Sequence, residues 1–277
     1  MFTSTLVQAA SHKVSVTDVS HSELTGLLDP KLFRYYLSEL SYFQEGIIMA
    51  EWWESLTKTF YKCFIRDNRY KLLLTGLENT IRISLAAACL GIIIGFLLAV
   101  CSLSKNKFLN GIHRVYTDII RGTPSVTQLM IIYFVVFATV NWPKWLIASI
   151  AFGINSGAYV SEIVRGGILS VDIGQTEAGR SLGLNARQTM FEIVVPQALK
   201  NIFPSLGNEF ITLIKETAIV GYIGLVDIQK AGDFIKSATY EAFMPLIGTA
   251  IIYFVLIKLL TFGLNKAEAS LRKSDIR

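Results

Sequence analysis

Hydrophobic positions in this chain gather into five long stretches, and polar interruptions divide them into two kinds. Residues 83–103 are uncharged and contain GIIIG at 91–95, a small-xxx-small pattern that lets helices approach closely. Residues 126–140 and 243–264 are also apolar enough to be membrane spans, the last carrying only Lys258, placed where its stem can reach the cytoplasmic interface. Residues 145–163 are broken by Asn155, Ser156, Ser161 and Glu162, and residues 202–224 carry Pro204, Glu209, Lys215 and Glu216. Two such polar segments cannot face lipid all round, so they are expected inside a helix bundle or along a polar path. The pattern predicts an all-α, multi-pass membrane protein with about five transmembrane helices.

Between the third and fourth stretches lies a polar interlude, IGQTEAGRSLGLNARQTMFEIVVP at 173–196. Glu177–Leu182 has the length of about two helical turns, which Gly183 can end in the left-handed conformation. Asn185 followed by Gln188 is a capping box ahead of the apolar run MFEIVV. Pro196 is placed to kink or restart that helix. The expected result is a compact polar elbow at the membrane surface, suited to docking a soluble partner. At the start of the second span, Thr123-Pro124 is expected to set a helix N-terminus with proline at its first position.

Charge fixes an orientation. Residues 104–124 hold Lys105, Lys107, Arg114 and Arg121 against Asp118 and read as a cytoplasmic loop. The elbow, with Arg165, Arg180, Arg187 and Lys200, and the tail 266–277, with Lys266, Arg272, Lys273 and Arg277, fall on the same side. Five crossings then place the N-terminus outside and the C-terminus in the cytoplasm. Lys58, Lys62, Arg66, Arg69 and Lys71 conflict with that assignment, since the same rule would hold them inside.

Composition agrees with a membrane protein: 52% of residues are hydrophobic and 17% charged, against roughly 25% in soluble domains. A net charge of +5 is explained by basic cytoplasmic loops, and nucleic acid is not an expected partner. Cys63, Cys89 and Cys101 lack metal-site or redox spacing, and His12, His21 and His113 sit in no catalytic motif. There is no P-loop, G-x-S-x-G or H-E-x-x-H, so no enzyme activity is expected.

Residues 1–48 are polar and lack the layout of a secretory signal. They read as a soluble tail or as an over-extended gene start. Gln44-Glu45-Gly46 can be encoded by a ribosome-site-like purine run just ahead of Met49. The expected division is an extension at 1–48, a pre-membrane segment at 49–80, a transmembrane domain at 81–265 with the elbow at 173–200, and a tail at 266–277.

Glu177-Ala178-Gly179, Gly183, Ile193 and Val195-Pro196 together resemble the EAA loop of ABC-importer permeases, with Gly179 and Val195 replacing the usual Ala and Leu. RGTP (121–124), NSGAY (155–159), SEIVRGGI (161–168), GNEF (207–210) and KETA (215–218) extend the resemblance to the polar amino-acid branch of that family, the histidine, glutamine and arginine type. The resemblance implies the type I importer fold in a bacterial inner or plasma membrane. It implies an ABC ATPase dimer docked on the elbow, an extracytoplasmic solute-binding protein, and a second permease copy or paralogue. No cofactor is expected in this chain, ATP being used by the partner. Glu177, Ala178, Gly179, Arg180, Leu182 and Gly183 become the expected coupling residues. Asn155, Glu162 and Glu209 are candidates for the solute path, with ion pairing, such as Glu162 to Arg165, the structural alternative for the charges. A secondary transporter or channel is the alternative function.

Overall fold

The computed structural model describes Met49 and residues 51–272, and they form two units, one ending at Thr59 and the other beginning at Phe60. The extension at 1–48 and the last five residues lie outside the described residues. In the first unit residues 51–59 are helical, with Lys58 paired to Glu54 at 2.7 Å. In the second unit every regular element among the described residues is helical. A π-helical turn, Tyr61–Ile65, precedes α1 (Tyr70–Leu103). Then follow α2 (Lys107–Arg121), α3 (Ser125–Ile131, prolonged by a π-helical turn at Ile132–Val136) and α4 (Lys144–Leu169). The elbow consists of α5 (Ile173–Ser181) and α6 (Ala186–Thr189), and a π-helical turn at Met190–Val194 joins it to α7 (Val195–Glu216). A 3-10 segment, Thr217–Ile223, leads to α8 (Ile228–Thr239) and α9 (Phe243–Arg272).

Three helices, α1, α4 and α9, are long and apolar enough to cross a membrane, and a fourth crossing exists if α2 and α3, bent by 102°, form one broken span. Residues 104–124, expected as a cytoplasmic loop, are instead mostly the amphipathic helix α2, capped by Asn106 through Phe108 N at 2.9 Å. Its apolar residues recur at helical spacing but never form a continuous run, so hydropathy passes over them. Pro124 stands at the N-cap of α3 and Ser125 at its first position, one residue from the expected start. α7 is not one of them: Gln197, Lys200, Asn201, Asn208 and Glu209 interrupt its apolar positions.

The centre of the fold is the crossing of α1 and α4. Gly91 and Gly95 on α1 face Ser156 and Val160 on α4, while Gly153 and Gly157 on α4 face Leu90 and Ile94 on α1. A Cβ at Gly95 would stand 2.5 Å from Val160 Cβ, so only glycine allows the backbones this approach. Ile83, Ala87, Leu129, Phe152, Leu213 and Val220 pack beside the crossing as the main core. At one end, Gly76 of α1 lies against the Asp227 carbonyl, and Asn79 Nδ2 donates to Val226 O at 2.8 Å. The Asp227 carboxylate accepts from Gln229 N at 2.9 Å, Lys230 N at 3.0 Å and the Tyr253 hydroxyl at 3.1 Å, which caps α8 and ties it to α9.

Candidate functional site

The elbow follows from local sequence rules. Asp172 caps α5 by accepting from Gly174 N at 2.7 Å. Gly183 then adopts φ +88°, a conformation that costs a non-glycine residue roughly 1–2 kcal/mol. Leu184 N donates to Gly179 O at 3.2 Å and Gly183 N to Arg180 O at 3.1 Å, closing the end of α5. The expected capping box is present: Gln188 N donates to Asn185 Oδ1 and Asn185 N to Gln188 Oε1, both at 2.9 Å. Gly179 explains its departure from the usual alanine, because a Cβ there would come within 2.7 Å of Ile193 Cδ1 and 2.9 Å of Thr189 Cγ2. Of the six expected coupling residues only Gly179 is buried. Glu177, Ala178, Arg180 and Gly183 are exposed, and Leu182 is 82% exposed.

Within the bundle, α4 presents a polar row. Asn155 is buried and donates from Nδ2 to Gln128 Oε1 at 2.9 Å. Its neighbour Ser156 donates to Glu209 Oε1 of α7 at 2.7 Å. Glu209 is thus held by the residue next to Asn155 in α4, while Glu162 sits about two turns further along that helix. Glu162 is held at Oε2 by Arg165 Nη2 at 2.8 Å and Nε at 3.2 Å, the pairing expected from their spacing. Its other oxygen is 3.5 Å from His113 Nε2 of α2, and that nitrogen is 3.2 Å from Ser161 Oγ. Glu209, Lys215 and Glu216 form no ion pair with one another among the described residues, and Lys258 lies over the Phe254 ring at 5.6 Å. No group of metal-ligating side chains occurs among the described residues.

Sequence reasoning passed over Gln128, Ser156 and His113 as partners. Ser156 belongs to the NSGAY motif, where polarity in an apolar span was the available signal. Gln128 and His113 gave none, because each is recognisable only once α2, α3 and α4 are packed together.

The family described as the binding-protein-dependent transport system inner membrane component matches residues 91–273, which takes in the α1–α4 crossing, the elbow and α9. The chain belongs to that family. A Rickettsia bellii protein whose name assigns it provisionally to glutamine transport as a permease is 42% identical over 192 residues, 69% of this chain and 88% of the relative. The arginine transport system permease protein of Bacillus subtilis is 41% identical over 205 residues, 73% of this chain and 94% of the relative. Among solved structures, an amino acid ABC transporter crystallised with histidines superposes with a TM-score of 0.69 at 40% identity, covering 75% of this chain and 98% of its own. This permease is therefore an all-α transport subunit with the ABC-importer permease fold, and its family is one of transport components, not of enzymes.

Proposed function

We propose that this permease forms the translocation pathway of an ATP-driven importer for polar amino acids. ATP is hydrolysed by a separate pair of ABC ATPase subunits docked on the elbow, and a solute-binding protein delivers the solute outside. A second copy of the chain, or a paralogue, completes the pathway across the membrane. The glutamine and arginine transport named for its relatives supports the solute class. The observation that carries the coupling role is the elbow itself: a helix closed by Gly183 at φ +88°, with Leu182 exposed, directly between α4 and α7. Glu177, Ala178, Gly179, Arg180, Leu182 and Gly183 are its docking residues in this reading. The basic elbow and the tail are cytoplasmic, and the N-terminus lies outside.

The solute path runs along the polar row of α4. Glu209, hydrogen-bonded by Ser156, offers a carboxylate to the solute ammonium, Asn155 shapes the wall beside it, and Glu162 with Arg165 marks the inner end. A charge held inside a bundle without a fixed counter-charge fits a passing zwitterion.

Affinity purification from native membranes, with and without Gly183→Asp, tests the coupling role. The wild type is expected to retain an ATPase and a binding protein. Gly183→Asp disfavours the left-handed turn and places a charge on the docking face, so the ATPase is expected to be lost while the membrane dimer remains. Absence of an ATPase from the wild type under gentle conditions overturns the importer reading and returns a secondary transporter to the front.

A further inference from the structure

We propose that Gln128 is the brace of the broken second span, and that Asn155 acts through Gln128 as a positioning residue for transport. The bend between α2 and α3, at Gly122–Pro124, leaves the last carbonyls of α2 without helical donors. Side chains supply those donors. Thr123 Oγ1 donates to Ile119 O at 2.9 Å, and Gln128 Nε2 lies 2.7 Å from Ile120 O, 3.1 Å from Thr123 O and 2.7 Å from Thr123 Oγ1. One amide nitrogen carried by α3 therefore reaches the Ile120 carbonyl at the end of α2 and the Thr123 carbonyl within the break.

The remaining half of the Gln128 amide is fixed from outside. Its oxygen accepts from Asn155 Nδ2 at 2.9 Å, and both side chains are buried. For these two buried side chains the alternative to their bonds is unsatisfied amides, which is costly in a bundle interior. The inner half-helix is tied to α4 as well. Tyr116 donates to Ile154 O at 2.7 Å, and His113 reaches Ser161 and Glu162. Because α4 runs straight into the elbow, a displacement there reaches α2 through these ties and α3 through the Asn155–Gln128 bond, and the braced break holds the two half-helices in step. Gly122 has no alternative at the bend, since a Cβ on it would stand 2.5 Å from Asp118 O.

This role differs from solute contact in what it does to the kinetics. A brace sets how well the pathway rearranges, whereas a ligand sets how much solute is needed. The importer assembled from this permease, its ATPase and its binding protein is reconstituted in liposomes, and ATP-dependent uptake is measured against loaded binding protein. Gln128→Leu and Asn155→Leu are each expected to lower maximal uptake about ten-fold and to leave the half-saturating concentration within about two-fold. The double variant is expected to be no worse than Gln128→Leu alone. Thr123→Ser keeps the hydroxyl and is expected to keep activity, whereas Thr123→Val loses it.

Hydrogen exchange in nanodiscs reads the brace without any transport assay. Amides of residues 121–130 are expected to exchange about ten-fold faster in Gln128→Leu, with α1 and α9 unchanged. Unchanged exchange at 121–130 overturns the brace, and does so whether or not the importer reading holds. A raised half-saturating concentration in Asn155→Leu alone, or losses that multiply in the double variant, overturns the positioning role of Asn155. Loss of protection throughout α1 and α9 in both Gln128→Leu and the milder Thr123→Val overturns the assignment of a local brace.

Discussion

Replacing Gly95 by alanine probes the crossing of α1 and α4 most directly. The added Cβ would meet Val160 Cβ and Cγ1 at 2.5 Å and the Gly157 carbonyl oxygen at 3.0 Å. Carbon atoms rest at about 3.5–4.0 Å, so the helices must part by about 1 Å near this point. A gap of that size forfeits roughly a quarter to a half of the dispersion energy of each displaced atom pair. Overpacking of a close-packed interior costs about 1–3 kcal/mol. For a chain of this size that corresponds to a melting temperature lower by about 2–12 °C. Gly111 is the internal control, because no heavy atom lies within 4 Å of its added Cβ. Gly111→Ala should be neutral or stabilising by up to about 1 kcal/mol through helix propensity. Moving the small residue to the other helix, as Gly95→Ala with Val160→Gly, removes the clashing side chain. The pair should therefore be more stable than the sum of its single changes by about 1–3 kcal/mol. Thermal unfolding in nanodiscs, followed by tryptophan fluorescence, measures all four variants. Strict additivity, or Gly95→Ala as stable as Gly111→Ala, refutes a crossing set by glycine contact.

Three further outcomes are expected. Asn185→Ala removes the acceptor for Gln188 N and should cost about 1 kcal/mol locally, read as faster hydrogen exchange over residues 184–195 with α1 unaffected; unchanged exchange there refutes the role of the cap. Burial pushes the Asp227 carboxyl above the ordinary aspartate value, against the Gln229 and Lys230 amides and the Tyr253 hydroxyl, which favour the charged form. The folded chain then binds this proton more tightly than the unfolded one. The Asp227 contribution is accordingly most favourable below about pH 3.9 and declines as pH rises through the folded value. Asp227→Asn should remove that decline from a pH series of unfolding curves, and an unaltered slope argues against it. Burial likewise raises the Cys63 thiol above its usual range, so maleimide at pH 7.5 should modify it at least about ten-fold more slowly in the folded chain than after denaturation. Equal rates would mean that the packing around Cys63 opens readily.

The elbow was legible because its determinants are local. Glycine at the end of a short polar helix, and Asn185 three residues before Gln188, fix backbone geometry with no help from distant contacts. Long apolar runs located α1, α4 and α9, though α1 begins at Tyr70 and not near residue 83 because its first turns pack on the Asp227 loop. α2 was not legible as a helix: its buried face holds His113 and Thr117, while Phe108, Ile112, Val115 and Ile119 point outward. Such a helix looks like a basic loop to a hydropathy window. The excess of cations at 58–71 is partly offset by pairing that the sequence did not reveal. Lys58 meets Glu54 within the first unit, and in the second Lys62 meets Glu241 and Arg69 meets Asp67. On α4 and α7, polarity within an apolar stretch marked Asn155 and Glu209 as unusual but did not say what each touches. Asn155 spends its amide nitrogen on Gln128, a residue with an ordinary place in its own sequence neighbourhood.

Where the bundle is stiff constrains where it can move. Of the most apolar stretch of each helix, 72% is buried in α4 but only 11% in α9, so α4 is an interior element and α9 a peripheral one. α4 is locked to α1 by glycine contacts that leave no room for sliding, and to α2 by Tyr116 and His113. On the proposed reading a pull on the elbow therefore moves these helices together, because close-packed interfaces shift between discrete arrangements and do not stretch. Two of the places where the regular helical ladder is interrupted respond differently: the π-helical turn at Met190–Val194, immediately after the elbow, can absorb such a motion, whereas the bend at Gly122–Pro124, braced by Gln128, passes it on. Both lie on segments adjoining the polar row of α4, one leading into the helix that bears Glu209 and the other held by Asn155. A rearrangement begun at the elbow would reach the walls of the path by these two routes without disturbing the crossing that holds the fold together.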